Sequence, residues 1–90
     1  MTTASCLFID KQYPVQTLRE ARENLSAADG ELVLDFSPVR HIDAGTLRAL
    51  EELVQTAEKA GVSIVLRGTD VTIYKVLKLA GLTSQLQFIN

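Results

Sequence analysis

Apolar residues in this chain follow two alternating rhythms: short unbroken runs, and longer stretches where they recur every three or four positions. An unbroken run bounded by turn residues predicts a strand, and the three-four spacing predicts one face of a helix. Cys6-Leu7-Phe8-Ile9 is the first run, and Asp10-Lys11-Gln12 ends it. Pro14 then suits the first turn of a helix, where its missing N–H has no partner to lose. Val15, Leu18, Ala21 and Leu25 mark the buried side of that helix to about Ser26. Its polar side carries Arg19, Glu20, Arg22 and Glu23, with Arg19 and Glu23 spaced for an ion pair in the weaker orientation.

Asp29-Gly30 signals a turn before Glu31-Leu32-Val33-Leu34-Asp35-Phe36, a run too continuously apolar for a strand with one wet face, which predicts a central strand. Residues 45–60 form the strongest helical stretch: Leu47, Leu50, Leu53, Val54 and Ala57 fall on one side, and Arg48, Glu51, Glu52, Gln55, Glu58 and Lys59 on the other. Asp43 stands where an N-cap accepts from free backbone N–H groups, and Gly61 where a C-cap needs a positive φ. Val62-Ser63-Ile64-Val65-Leu66 predicts a third strand. Thr69-Asp70 is a second capping signal, Ile73, Val76, Leu77 and Ala80 mark a third helix that Gly81 stops, and Leu86-Gln87-Phe88-Ile89 closes with an edge strand. Strands separated by helices pair in parallel through right-handed crossovers, so the expected fold is α/β: one domain over 1–90, with about four mostly parallel strands flanked by three helices.

Composition narrows the function. Nine Lys and Arg against eleven Asp and Glu leave a net charge of −2, which offers little attraction to nucleic acid or anionic lipid. A single Cys and a single His cannot supply the ligands of a transition-metal site. Met1-Thr2-Thr3-Ala4-Ser5 has neither a basic region nor a long apolar run, and no stretch approaches the roughly 18 apolar residues of a membrane span, so the chain is expected in the cytoplasm without membrane insertion.

Catalytic chemistry finds little footing. The glycines are scattered, and no phosphate loop with its Lys-Ser or Lys-Thr pair is present. Asp35 and Asp43 admit two readings: a carboxylate pair for acid–base or magnesium chemistry, or a strand end in a solvated loop and a helix cap. Capping is the stronger, because Asp is so favoured at that position. His41 shares the loop and could act on Ser37 or Thr46, but no orienting third group accompanies it. Cys6 lies in an apolar run with no cation beside it to lower its pKa, and is expected to be a buried small hydrophobe. Tyr74 and Lys75 are expected at the surface. These residues predict no enzyme and no cofactor.

Leu34-Asp35-Phe36-Ser37-Pro38-Val39-Arg40-His41-Ile42-Asp43-Ala44-Gly45-Thr46-Leu47 resembles the signature of STAS domains, the fold of bacterial anti-sigma factor antagonists, in which an Asp-x-Ser-x-Val loop precedes Asp-Ser-Ser-Gly-Leu at a helix start. The likeness continues through Gly61-Val62-Ser63-Ile64-Val65-Leu66 and through a helix that ends in Ala80-Gly81-Leu82. It covers about 31–90, and the N-terminal part is one strand shorter than in relatives. The resemblance implies a signalling module of transcription regulation that binds a protein: an anti-sigma kinase, a signalling scaffold, or the ATPase of an ABC-type lipid transporter. Its contact surface would comprise Ser37, Arg40, His41, Asp43, Ala44, Gly45, Thr46 and Arg48, with Gly68, Thr69 and Asp70 at the neighbouring corner.

The same resemblance implies that the regulatory phosphoacceptor serine is replaced by Ala44, which has no hydroxyl. Gly45 occupies the second serine position, and Thr46 stands where the family usually has Gly. Thr46 and Ser37 are the nearby hydroxyls that could carry phosphate instead. A phosphoacceptor or small-molecule-binding protein using Asp35, Asp43 and Thr46 is the rival from another class.

Overall fold

The computed structural model describes residues 5–25 and 30–89. Strands β1 (Ser5–Phe8), β2 (Glu31–Asp35), β3 (Ser63–Arg67) and β4 (Leu86–Ile89) alternate with helices α1 (Pro14–Glu23), α2 (Ala44–Ala60) and α3 (Val71–Leu79), and a short 3-10 turn at Thr83–Gln85 leads into β4. All neighbouring strands pair in parallel, in the order β1-β2-β3-β4. The α/β class, the four strands and the three helices agree with the hydrophobic pattern. Ser26 and Asp29, to which a helix end and a turn were assigned, lie outside the described residues, as do residues 1–4.

Sequential strand order has a geometric consequence. When each connection steps to the adjacent strand with the same right hand, every helix lands on the same side of the sheet. Burial agrees: Leu32, Leu34, Ile64, Leu66 and Leu86 join Leu18, Leu50, Leu53, Ile73 and Leu77 in one apolar cluster. Val65 is only 3 % exposed yet lies outside that cluster, on the row Cys6–Val33–Val65–Gln87 that points the other way. Two expectations are corrected here. Cys6 is exposed, because alternation along β1 turns it to the side without helices. The run over 31–36 is a central strand as predicted, but no described helix covers its Val33 side, where neighbouring strands provide the shielding.

Helix α2 has the boundaries its sequence predicts to within one residue. The Asp43 carboxylate accepts from Thr46 N at 2.7 Å, and Gly61 ends the helix at φ 72°. Arg19 and Glu23 do not pair; Arg22 reaches across to Glu52 of α2 at 3.5 Å instead. Both partners are about half exposed, so the contact adds little.

Candidate functional site

In an all-parallel sheet every strand ends at the same edge, and the loops leaving those ends lie side by side. Backbone bonds carry the ladder past the strand ends: Ile9 N donates to Asp35 O at 3.0 Å, Phe36 N to Arg67 O at 2.8 Å, and Gly68 N to Ile89 O at 3.1 Å. The loops over 9–13, 36–43 and 68–70 are therefore held in register by the sheet beneath them.

Within the middle loop, Asp35 Oδ1 accepts from Ser37 Oγ at 2.6 Å and from Ser37 N at 2.9 Å. These bonds, the hydroxyl's foremost, hold the Asp35 carboxyl below its ordinary pKa against the opposing effect of burial. Asp35 is 6 % exposed, which corrects the expectation of a solvated strand end: the loop folds back over it. Its Oδ1 is committed to shaping the turn. Val39 N closes the next turn onto Phe36 O at 2.9 Å, and Val39 is buried, which leaves Ser37, Arg40 and His41 exposed.

The 68–70 corner abuts this loop closely. Gly68 has φ 67°, and a Cβ there would come within 3.0 Å of Ser37 Cβ, so backbone conformation and space both demand glycine. Arg40 Nη1 lies 3.8 Å from Asp70 Oδ2, and Asp70 Oδ1 accepts from Thr72 N at 2.8 Å to cap α3. The Thr69 Oγ1 atom is buried and has no hydrogen-bond partner. The structure thus brings Ser37, Arg40, His41, Gly68, Thr69 and Asp70 onto one contiguous edge.

At the start of α2, Asp43, Ala44, Gly45 and Arg48 are exposed. The Thr46 side chain beside it, together with the bond from Thr46 N, holds the Asp43 carboxyl below its ordinary pKa. A Cβ on Gly45 would meet Asp43 Oδ1 at 3.7 Å and Val15 Cγ2 at 3.8 Å, ordinary contacts, so local packing does not require glycine there. Thr46 departs from the group expected with it: at 1 % exposure it is nearly enclosed and contributes only to the floor of a groove beside α1. Its position was readable from spacing, because 46, 49, 50 and 53 follow the three-four rhythm of the buried stripe.

Sequence reasoning passed over the loop before α1. Asp10 Oδ1 accepts from Gln12 N at 2.7 Å and Tyr13 N at 3.2 Å, which turns the chain into the helix. Tyr13 stands 58 % exposed beside a groove of about 470 Å³ that Arg19, Asp43 and Thr46 also line. Lys11 and Gln12 line a second one, about 610 Å³, with residues 38–41. The signal available was topological: a loop that follows a strand in a parallel sheet must emerge at this edge.

As chemistry, the edge offers four carboxylates, Asp10, Asp35, Asp43 and Asp70, each engaged by N–H or O–H donors, and one exposed imidazole. Among the described residues no hydrogen bond joins His41 to Ser37 or Thr46, and no group of three or more His, Cys, Asp or Glu is gathered to hold a metal ion.

The sequence profile of the STAS domain matches residues 13–90, so the chain belongs to the STAS domain family. The match takes in α1 as well as the region from Glu31 onward where the motifs lie. No curated protein sequence matches the chain. Among solved structures, the STAS domain of a SulP transporter from Vibrio cholerae superposes with a TM-score of 0.80 at 15% identity, over 94% of this chain and 72% of that one. A proposed anti-sigma factor antagonist from Thermotoga maritima superposes with a TM-score of 0.73 at 16% identity, over 100% of this chain and 76% of that one. At such identities the likeness establishes the fold. Among the described residues no helix is long and apolar enough to cross a membrane.

Proposed function

We propose that this STAS domain is a non-enzymatic regulatory module of the bacterial cytoplasm, resembling an anti-sigma factor antagonist, that binds a protein partner through Ser37, Arg40, His41 and the start of α2, with the 68–70 corner at its margin. The observation that carries the reading is the start of α2 itself. Ala44, Gly45 and Arg48 face outward around a capped helix end, and no reacting group stands among them. Sequential strand order supports it, because the crevice that doubly wound enzymes use arises where strand order reverses.

In this reading Ala44 holds the place of the family's phosphorylatable serine, so the edge binds without a phosphate switch. A phosphate beside Asp43 would repel an acidic partner; a methyl group cannot acquire one. Ser37 is the hydroxyl left exposed nearby, whereas Thr46 would have to leave the core to meet a kinase. A second reading makes the partner a component of a membrane transporter, such as the ATPase of a lipid-transport complex. The likeness to the SulP transporter domain supports it.

The test is affinity capture from the native cell with identification of the partner, followed by binding measurements on variants. Gly45→Trp and Arg48→Glu should weaken binding about thirtyfold, the effect of about 2 kcal/mol at an interface centre. Glu58→Lys, near the far end of α2, should leave it unchanged. Equal binding by all three variants would remove the assignment. With a kinase partner and ATP, Ala44→Ser should gain phosphate, and stoichiometric phosphate on wild-type Ser37 would show a switch at a different place.

A further inference from the structure

We propose that the outward ridge of α3 is a second docking surface, shaped for an acidic amphipathic helix of a protein partner. Ile73 and Leu77 are fully buried and define the inner side of α3. At about 100° per residue, the point opposite them is Lys75, with Val71 one turn before it and Leu79 one turn after. Val71 is 68 % exposed and Leu79 90 %, and Tyr74, at 39 %, flanks them with its ring set edge-on against Phe88. Single exposed apolar residues are ordinary on protein surfaces. A ridge of them on one helix is not the rule in this molecule, whose outer faces on α1 and α2 are built from Arg, Glu, Gln and Lys.

Charge says what the ridge is suited to meet. All eleven acidic residues lie at or before Asp70, so 71–90 carries Lys75 and Lys78 and no acidic side chain. A net-negative protein thus presents a locally positive, partly apolar face. Lys78 also suits the negative end of the helix dipole, but Lys75 is mid-helix and has no such local reason. A two-fold contact with a second copy would set these lysines against themselves. A membrane would have to take in Lys75 between Val71 and Leu79, whereas helices that lie on bilayers keep their cations on the polar flank. A partner helix can place a carboxylate against the ammonium and an apolar anchor on each side. Val71 and Leu79 are about 12 Å apart along the axis, so the partner's anchors are expected two turns apart, with Glu or Asp midway.

This surface is separate from the start of α2, and its test is read separately. The probe is a helix-stapled peptide of eighteen residues with two leucines two turns apart and glutamates between them, titrated into the ¹⁵N-labelled full chain. Saturable amide shifts confined to α3 and its neighbours are expected, with a Kd of roughly 100 µM, as suits so small a contact. Leu79→Ser and Lys75→Glu should each weaken the peptide at least tenfold, a lysine-for-glutamate peptide should not bind the wild type, and Gly45→Trp should bind like the wild type. Three results would overturn the proposal: shifts absent or mapping elsewhere, equal binding of the two peptides, or insensitivity to both α3 variants. Leu79-dependent sedimentation with phosphatidylglycerol vesicles would assign the ridge to a membrane, and Leu79-dependent dimerisation to a second copy; either also overturns it.

Discussion

Helices α2 and α3 start from the same device. Each follows a strand through a short loop, and each is capped by an aspartate, Asp43 accepting from Thr46 N at 2.7 Å and Asp70 from Thr72 N at 2.8 Å. Beyond that first turn they part. Six residues of α2 are buried, packed between α1 and the sheet, and its outer side is charged. Only Ile73 and Leu77 of α3 are buried, and apolar side chains remain on its outer side. A cap decides where a helix begins. How much of the helix the core consumes depends on its neighbours, and α3, at the end of the layer beside edge strand β4, has fewer of them.

The sharpest test of this contrast is one deletion made on both helices. Leu53→Ala removes a fully buried side chain from α2 and should cost about 3 kcal/mol, with Tm lowered by more than about 10 °C. Leu79→Ala on α3 should change stability by less than about 0.5 kcal/mol. Urea unfolding of both variants checks this, and comparable losses would break the comparison.

Next in size are the glycines near the starts of the two helices, Gly68 just before α3 and Gly45 in the first turn of α2. Gly68→Ala forces a Cβ against Ser37 at a positive φ and should cost about 2 kcal/mol, while Gly45→Ala, with ordinary contacts only, should fall within about 0.5 kcal/mol of wild type. Thermal melts of the pair would show whether the corner leading into α3 is the tighter one.

Acid should act on the loop and the cap that lead into α2. The Asp35 and Asp43 carboxyls lie below their ordinary pKa in the folded chain, the first through Ser37 and the second through Thr46. Each therefore contributes stability that is complete above the ordinary carboxylate range, near pH 4, and is lost as pH falls through the depressed values. Ser37→Ala removes the leading cause at Asp35, so carboxyl NMR titration should show that pKa rising toward the ordinary value. An unchanged titration would mean that the bond is not what lowers it. The smallest effect expected is that of Arg40→Ala, which breaks an exposed 3.8 Å pair with Asp70 and should shift stability by at most about 0.5 kcal/mol.

Much of this was legible in the chain. Three-four spacing with Asp43 and Gly61 at its ends specified α2 almost to the residue, and the capping signal at Asp70 located the start of α3. Cys6, Asp35 and Thr46 were misread for distinct reasons. Alternation along β1 says that Cys6 and Leu7 face opposite sides, but not which side the helices cover. A carboxylate at a strand end looks solvated until the following loop is seen to fold over it. Thr46 was assigned by motif when its helical phase already placed it with Leu50 and Leu53.

The sequence by itself determined the order and kind of the elements, because hydrophobic period, caps and turn residues act over a few neighbouring positions. It also determined that the chain's acids end at Asp70, which any sheet order would preserve. Only the tertiary structure decided that strands pair in sequence order, that one face of the sheet therefore carries all three helices, and that three loops share an edge with Gly68 pressed against Ser37. Those outcomes depend on contacts between residues far apart in the chain, whose pairing is set by packing the whole core at once and is not written in any local stretch.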